Sequence, residues 1–318
     1  MYRSFPIAPL TAACYMLAHR LMQNCNISGA APQRAHLDYF GLTILMFYCD
    51  EPMTDERRAE LPAPKDLEAS TALIVGGTAG IGLASARALA AAGVPRIVVV
   101  GRNAERGELA AKSIAELGAA AHFVAGDATD PGAAAAVSAE ADQILSGIDI
   151  LMCSTAADVR PELFVDIPTS DIGRIITELA LPSMHMASAV LPGMRGRRGG
   201  VIVNVASDAA KTATPGEALI GAAKAAIVMF TRTIAIEEKR YGIRANALTP
   251  SLVHGTASTE RITSDGFSGK LFARAAQAAQ LGVPTAEDIA ALTVFLCSAA
   301  AAKLTGQAIS VNGGISAA

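Results

Sequence analysis

Three side chains with usable chemistry fall close together late in the chain: Ser207, Glu217 and Lys224. A serine hydroxyl can hold a substrate oxygen, an ammonium can meet developing negative charge, and a carboxyl can give or take a proton. Glu217 precedes Lys224 by seven residues, two helical turns, and so shares its helix face. A carboxylate near a helix start is also favoured by the helix dipole, so a capping role for Glu217 stands beside the catalytic one. A different chemistry is offered upstream by GGTAGIG at 76–82. Gly76 permits a tight turn, Gly80 lets the backbone approach a pyrophosphate, and Gly82 permits close helix–strand packing. Thr78 and Ile81 lie between them in the same loop.

The elements around these residues alternate regularly from position 71 onward. TALIVGG (71–77) reads as a buried strand, followed by a helix through IGLASARALAAAG and a second strand at RIVVVG. Helices are expected near 103–117, 131–145, 171–194, 216–239 and 286–299, with strands at AAHFVAG, IDILM, GVIVNVA, IRANAL and 307–311. Short apolar strands separated by helices of ten or more residues predict an α/β fold, a doubly wound parallel sheet of the Rossmann type with helices on both faces. The glycine loop then opens the first helix directly after the first strand, which is where a dinucleotide pyrophosphate binds in such sheets. Pro182 in the central helix predicts a kink just after Leu179. Residues 252–283 carry helical stretches and a glycine-rich interruption, and read as a mobile substrate lobe.

The second strand adds a cofactor preference. A carboxylate at position 101 would accept both hydroxyls of an adenosine ribose and repel a 2′-phosphate. The residue is Gly101, with Arg102 next to it, which favours NADP(H) over NAD(H). Asp127, after the third strand, is placed to accept from the adenine amino group.

Composition bounds the rest. The chain has 318 residues, is 52% hydrophobic and carries a net charge of −3, which gives no footing for nucleic acid. Five scattered cysteines (Cys14, Cys25, Cys49, Cys153, Cys297) read as reduced thiols in a cytoplasmic setting, and no metal-binding spacing is present. No run of eighteen apolar residues exists, so no membrane span is expected. IAPLTAACYMLA at 7–18 is ordered poorly for a cleaved signal. Residues 1–52 differ from the remainder: they hold four of the five tyrosines, three of the five cysteines and no lysine. They are expected to form a poorly ordered extension or a partner-binding arm, joined by a polar lead-in at 53–70 to a single domain at 71–318.

In the order of its motifs the chain resembles the classical short-chain dehydrogenase/reductase family over about 70–315. The glycine loop, Asp127, VIVNVAS, Lys224, IRANALTP and TGQAISVNGG carry the likeness. ASDAAKTATPGEALIGAAKAA is also similar to members acting on hydroxyacyl-thioesters of cyclic acids. The resemblance implies a serine that fixes the substrate oxygen, a tyrosine that moves the hydroxyl proton, and a lysine that tunes the tyrosine and holds the nicotinamide ribose. Ser207 and Lys224 match; the tyrosine position is Ile220 and the family's asparagine position is Leu179. The Asn-Asn-Ala-Gly run is Cys153-Ser154-Thr155-Ala156, and the proline–glycine pair is Pro250-Ser251.

Neither isoleucine nor leucine can move a proton. Glu217, Glu178, His185 and Asp208 are the candidate substitutes. Each also has a structural reading: capping for Glu217, surface for Glu178, interface packing for His185 and a turn for Asp208. Tyr241 lies in a turn at the opposite edge of the sheet and is not a substitute. Three functions remain open: an NADP(H)-dependent oxidoreductase with an altered site, acting on a carbonyl, hydroxyacyl-thioester or conjugated substrate of apolar character; a non-redox cyclase, dehydratase or isomerase; or a non-catalytic subunit. The family likeness implies a homo-oligomer, dimer or tetramer, and the third function implies a hetero-oligomer with an intact relative.

Overall fold

The computed structural model describes residues 62–263 and 266–317. The expectations for residues 1–52, and for the first half of the lead-in, lie outside the described residues. Seven parallel strands form one sheet: β1 Thr71–Val75, β2 Arg96–Gly101, β3 Ala120–Ala125, β4 Ile150–Cys153, β5 Gly200–Val205, β6 Ile243–Leu248 and β7 Ala308–Ile309. Their order is β3-β2-β1-β4-β5-β6-β7, so the direction of winding reverses between β1 and β4. Helices α1 Gly80–Ala91, α2 Ala104–Ala115 and α8 Ala286–Cys297 cover one face. Helices α3 Pro131–Leu145, α4 Thr169–Arg197 and α5 Ala218–Glu238 cover the other. The doubly wound Rossmann-type sheet expected from the alternation is the fold observed. The lobe after β6 holds α6 Ala257–Thr263 and α7 Gly266–Ala278.

The strands work because both faces of each are buried. Along β1, Ala72 and Ile74 pack under α1, α2 and α8, while Leu73 and Val75 pack under α3 and α4. Edge strand β3 is more open, and β7 is two residues long, shorter than the stretch 307–311 suggests. Helix starts follow local chemistry: the Asn103 side chain accepts from the Arg106 N–H, Asp130 accepts from Ala133, and Thr285 with Asp288 forms a reciprocal capping box. Helix α4 is longer than its apolar period suggests and runs without interruption through Pro182 and Pro192. Each proline removes a single intrahelical hydrogen bond, and the buried side chains on either side of Pro182, among them Leu179 and Met186, hold the helix against its neighbours. The lead-in is less featureless than its prolines imply. A 3-10 turn at Leu67–Ala69 buries Leu67, and Lys65 reaches Asp149 at 2.7 Å.

Helices α4 and α5 are long and apolar enough to cross a membrane by length and composition, with mean hydropathies of 1.2 and 1.6 over their most apolar windows. Here part of that apolar surface lies against the sheet: Met186, Val190 and Met194 of α4 and Ile234 of α5 are core residues. At the far end of the pair, Arg195 clasps the buried carboxylate of Glu238, with Nε 2.6 Å from Oε2, and lies over the Tyr241 ring at 4.9 Å. Tyr241 therefore has a packing role, as its turn position suggests.

One buried polar contact ties α5 to the sheet. The Asn204 Nδ2 of β5 donates to the Thr231 hydroxyl at 2.9 Å, and that hydroxyl donates to the Ile227 carbonyl at 2.7 Å. Both residues are fully buried, and the Asn204 Oδ1 has no partner among the described residues. Thr231→Val orphans the amide and is expected to cost about 1–3 kcal/mol, whereas Asn204→Leu with Thr231→Val recovers most of that loss. Urea unfolding of the two variants beside wild type measures both values.

Candidate functional site

The reversal between β1 and β4 opens a crevice at the C-terminal edge of the sheet, and the glycine loop fills its floor. Gly76 has φ +78°, and a Cβ there would stand 2.4 Å from the Ser154 carbonyl oxygen at the end of β4. A Cβ on Gly82 would meet the Gly76 carbonyl at 2.2 Å. Gly82 thus lets the start of α1 close onto the residue that follows β1. Gly80 has φ +51°, with open space around it except for the Thr256 methyl at 3.6 Å from a Cβ position. The start of α1 carries no side-chain cap and no acidic residue in its first turn. Its N–H groups therefore face a position that suits a phosphate. Ile81 is half-buried against the core, so it offers the loop its backbone alone.

Beside the loop, Thr78 is buried and its side chain covers Gly101. A Cβ at 101 would approach the Thr78 methyl to 2.7 Å, so the space an acidic residue would use is already taken. Arg102 is exposed and stands 3.7 Å from Asp127. Asp127 Oδ1 accepts from the Thr129 N–H at 3.0 Å and from its hydroxyl at 2.7 Å. Burial pushes the Asp127 carboxyl up, but Thr129 and Arg102 together outweigh it and hold the group below its ordinary value. The Oδ1 atom is thus committed to its own turn. These residues fit a dinucleotide: a glycine cradle at the pyrophosphate, a guanidinium beside the ribose position, and no acidic side chain at 101.

Across the crevice stand Ser207 and Lys224. The Ser207 Oγ accepts from the Ala209 N–H at 3.2 Å, capping a single 3-10 turn at Asp208–Ala210. Lys224, on α5, is buried and donates to the Val205 carbonyl at 3.4 Å. Burial pushes its ammonium down to about 8. Ile220, one turn earlier, packs into an apolar cluster with Leu179, Ala206, Ala223 and Ile227. The side of α5 next to Lys224 is therefore hydrocarbon. Glu217 stands at the N-terminal cap position of α5 but makes no capping hydrogen bond. Burial pushes its carboxyl up to about 7; the Thr214 side chain opposes the shift and Asp208 adds to it.

The other candidates are committed elsewhere. Asp208 is buried and accepts from Ser316 at 2.6 Å and from Asn312, which leaves Ser207 without it. The pair binds the C-terminal segment, a partner that lies 104 or more residues away and that local sequence does not reveal. Glu178 forms a surface pair with Arg174. His185 Nδ1 is 3.0 Å from the Ala128 carbonyl and fastens α4 to the turn after β3. Cys153, at the end of β4, is fully enclosed, and burial pushes its thiol up to about 12. Thr256, over the glycine loop, carried no signal in the sequence.

The two shifted groups give stability opposite pH slopes. Glu217 keeps a proton up to about pH 7 in the folded chain, against 4.5 ordinarily, so its contribution falls as pH rises from about 4.5 to 7. Lys224 loses its proton near pH 8 instead of 10.5, so its contribution rises with pH between those values and is lost as pH falls through 8. Glu217→Gln is expected to remove the lower slope, read as urea midpoints from pH 5 to 8. Parallel curves for the two proteins would show a carboxyl that titrates as if exposed.

Residues 76–316 match the family described as enoyl-(acyl carrier protein) reductase. A protein of Xanthobacter autotrophicus named inactive 2-(S)-hydroxypropyl-CoM dehydrogenase 2 is 34% identical over 203 residues, 63% of this chain and 86% of that one. The 3-oxoacyl-[acyl-carrier-protein] reductase of Vibrio harveyi is 32% identical over 79% of this chain and 98% of its own. A probable 2,4-dienoyl-CoA reductase of Bacillus subtilis is 31% identical over 78% and 97%. Among solved structures, 7α-hydroxysteroid dehydrogenase with NADH aligns at TM-score 0.72 and 28% identity, covering 78% of this chain and 95% of that one. Gluconate 5-dehydrogenase of Burkholderia cenocepacia with NADP and tartrate aligns at 0.71 and 28%, covering 79% and 96%. With the reversal in the sheet, the glycine cradle and these matches, the chain belongs to the classical short-chain dehydrogenase/reductase family.

Proposed function

We propose that this chain is an NADP(H)-linked oxidoreductase whose proton-transfer site is altered, and that it reduces a conjugated carbonyl compound, such as an enoyl thioester, in preference to a simple ketone. The observation that carries the reading is the environment of Lys224: a buried amine beside a hydrocarbon wall that includes Ile220 and Leu179. Ketone reduction needs a proton at oxygen as the carbon is reduced, and loss of the general acid costs about 10²–10⁴-fold. Reduction of a conjugated double bond yields an enolate first, so the proton can arrive later and at carbon.

In this reading Gly76, Thr78, Gly80, Ile81 and Gly82 hold the pyrophosphate, Arg102 takes the 2′-phosphate, Asp127 faces the adenine, and Lys224 binds ribose hydroxyls. A bound nicotinamide supplies the hydride. Ser207, with Ser154 or Thr155, donates to the substrate oxygen, and the Lys224 charge stabilises the oxyanion. Glu217, poised near neutrality, returns the proton directly or through water. The enoyl and dienoyl names among the related proteins agree with this substrate class. The protein works as a dimer or tetramer, as family members do. A second reading, a non-catalytic subunit paired with an intact relative, draws support from the 34% identical protein named inactive.

Fluorescence titration with NADPH and NADH tests the cofactor first. NADPH is expected to bind at least about tenfold more tightly, and Arg102→Ala to erase most of the difference, since a charge-assisted contact contributes roughly 1.5–3 kcal/mol. Ile220→Tyr is expected to raise reduction of simple ketones by roughly 10²-fold or more while changing enone reduction little. Failure of folded protein to bind either dinucleotide would sink the oxidoreductase reading and leave the subunit reading standing.

A further inference from the structure

Both legs of the lobe between β6 and α8 lead back to one residue beside the site. The first leg leaves β6 through Pro250, whose carbonyl accepts the Asp208 N–H at 2.8 Å. The second leg ends at Leu281 and Gly282, against the C-terminal segment. There the Leu281 N–H donates to the Gly313 carbonyl at 3.1 Å, and the Gly282 carbonyl leaves no room for a Cβ on Gly313. That segment is in turn fastened to the Asp208 carboxylate. The Ser316 hydroxyl donates to its Oδ1 at 2.6 Å, and the Asn312 amide stands 3.5 Å from the same oxygen. Asn312 also closes the segment on itself: its Nδ2 donates to the Ser316 carbonyl at 3.1 Å and its Oδ1 accepts from the Gly314 N–H at 3.0 Å. The two legs meet directly as well, where the His254 N–H donates to the Pro284 carbonyl at 2.8 Å.

The 3-10 turn at Asp208–Ala210 does not itself need a carboxylate. Its bonds come from the Ser207 Oγ, which caps the Ala209 N–H, and from the Asp208 carbonyl, which accepts the Lys211 and Thr212 N–H groups at 2.9 Å each. The side chain is therefore free to act at a distance. Asp208 is buried, and among the described residues it belongs to no ion pair. A buried carboxylate is costly without donors, so it holds those it has firmly. Its backbone holds one leg of the lobe and its carboxylate holds the other, while the next residue toward the N-terminus is Ser207. The first leg also carries Thr256, whose methyl lies over Gly80 of the glycine loop. We propose that Asp208 is a positioning residue: it references both legs of the lobe to the backbone beside Ser207, so that a substrate held by the lobe is presented to that hydroxyl. The mechanical part stands on these contacts alone; the effect on turnover rests on the oxidoreductase reading.

Hydrogen exchange of the full chain, read by mass spectrometry, tests the anchorage. In Asp208→Ala the amides of α7 and the following turn (266–283) are expected to exchange at least about tenfold faster, because bonds to a charged acceptor are lost, while β1 and β4 keep their wild-type rates. Asp208→Asn keeps an acceptor for Ser316 and is expected to stay within about twofold of wild type. Ser316→Ala is expected to speed the same amides at least about threefold, and to add nothing to Asp208→Ala. Wild-type rates in the lobe of Asp208→Ala overturn the proposal. So does equal acceleration of β1 and β4, which marks general destabilisation, and so does an Asp208→Asn lobe as fast as that of Asp208→Ala. If Asp208→Ala does not fold, Ser316→Ala decides through the same comparison of lobe with core. Turnover of an enoyl thioester adds a second readout. A lobe that binds ground state and transition state alike predicts that Asp208→Ala raises KM at least about tenfold with kcat changed less, and that Asp208→Asn restores it. An unchanged KM beside a loosened lobe overturns the positioning role. Wild-type protein that turns over no substrate counts against the oxidoreductase reading and leaves the exchange rates to decide the anchorage.

Discussion

The width of a single carbon atom governs the C-terminal edge of the sheet. Where β1 and β4 part, the Gly76 backbone approaches the Ser154 carbonyl so closely that a Cβ cannot be accommodated, and Gly82 approaches Gly76 in the same way. Those contacts set the entry angle of α1, and with it the direction of the N–H groups at the helix start. The rest of the crevice is referenced to that point. Thr78 lies over Gly101 and Thr256 closes above Gly80, while Lys224 of α5 reaches the Val205 carbonyl at the end of β5 and Ser207 follows that strand. Small residues there are consequences of steric contact, independent of whatever chemistry the crevice performs.

Most of the architecture was legible because it is written in local patterns. Apolar runs five or six residues long gave the central strands, and caps such as Asn103 and Asp130 fixed the helix starts. The glycine loop, Lys224 and Ser207 were readable by spacing. What escaped depends on contacts between distant residues. Asp208 begins the turn that its position suggests, but nothing local shows that its carboxylate is taken by Ser316. Lys211, which local sequence does not single out, reaches across to Ser310 near the edge strand. No periodicity encodes such reaches.

Electrostatics and hydrocarbon divide α5 between them. One face carries Lys224 beside Ile220 and faces the sheet; another carries Ala218, Ala222 and Ala225 and borders the 209–215 segment. Gly221 lies between the two and lets the 209–215 segment touch the helix. The same helix thus serves two environments that are separated by less than one turn. Lys224 and Glu217 are both shifted toward neutrality by burial, from opposite directions. Such groups exchange protons with little penalty near neutral pH, provided that water or substrate can reach them.

Cys153 closes β4 directly beneath the Gly76–Ser154 contact, fully enclosed and with its thiol pushed up to about 12. Cys297, at the end of α8, is held in the same state. A thiolate is the species that alkylating reagents attack, so both sulfurs are protected twice, by access and by protonation. Modification of Cys153 therefore requires α4, whose Ser183 lies against the thiol, to lift from the sheet. Its labelling rate becomes a clock for transient lifting of α4, and a ligand that binds only the closed state would slow that clock in proportion to its occupancy.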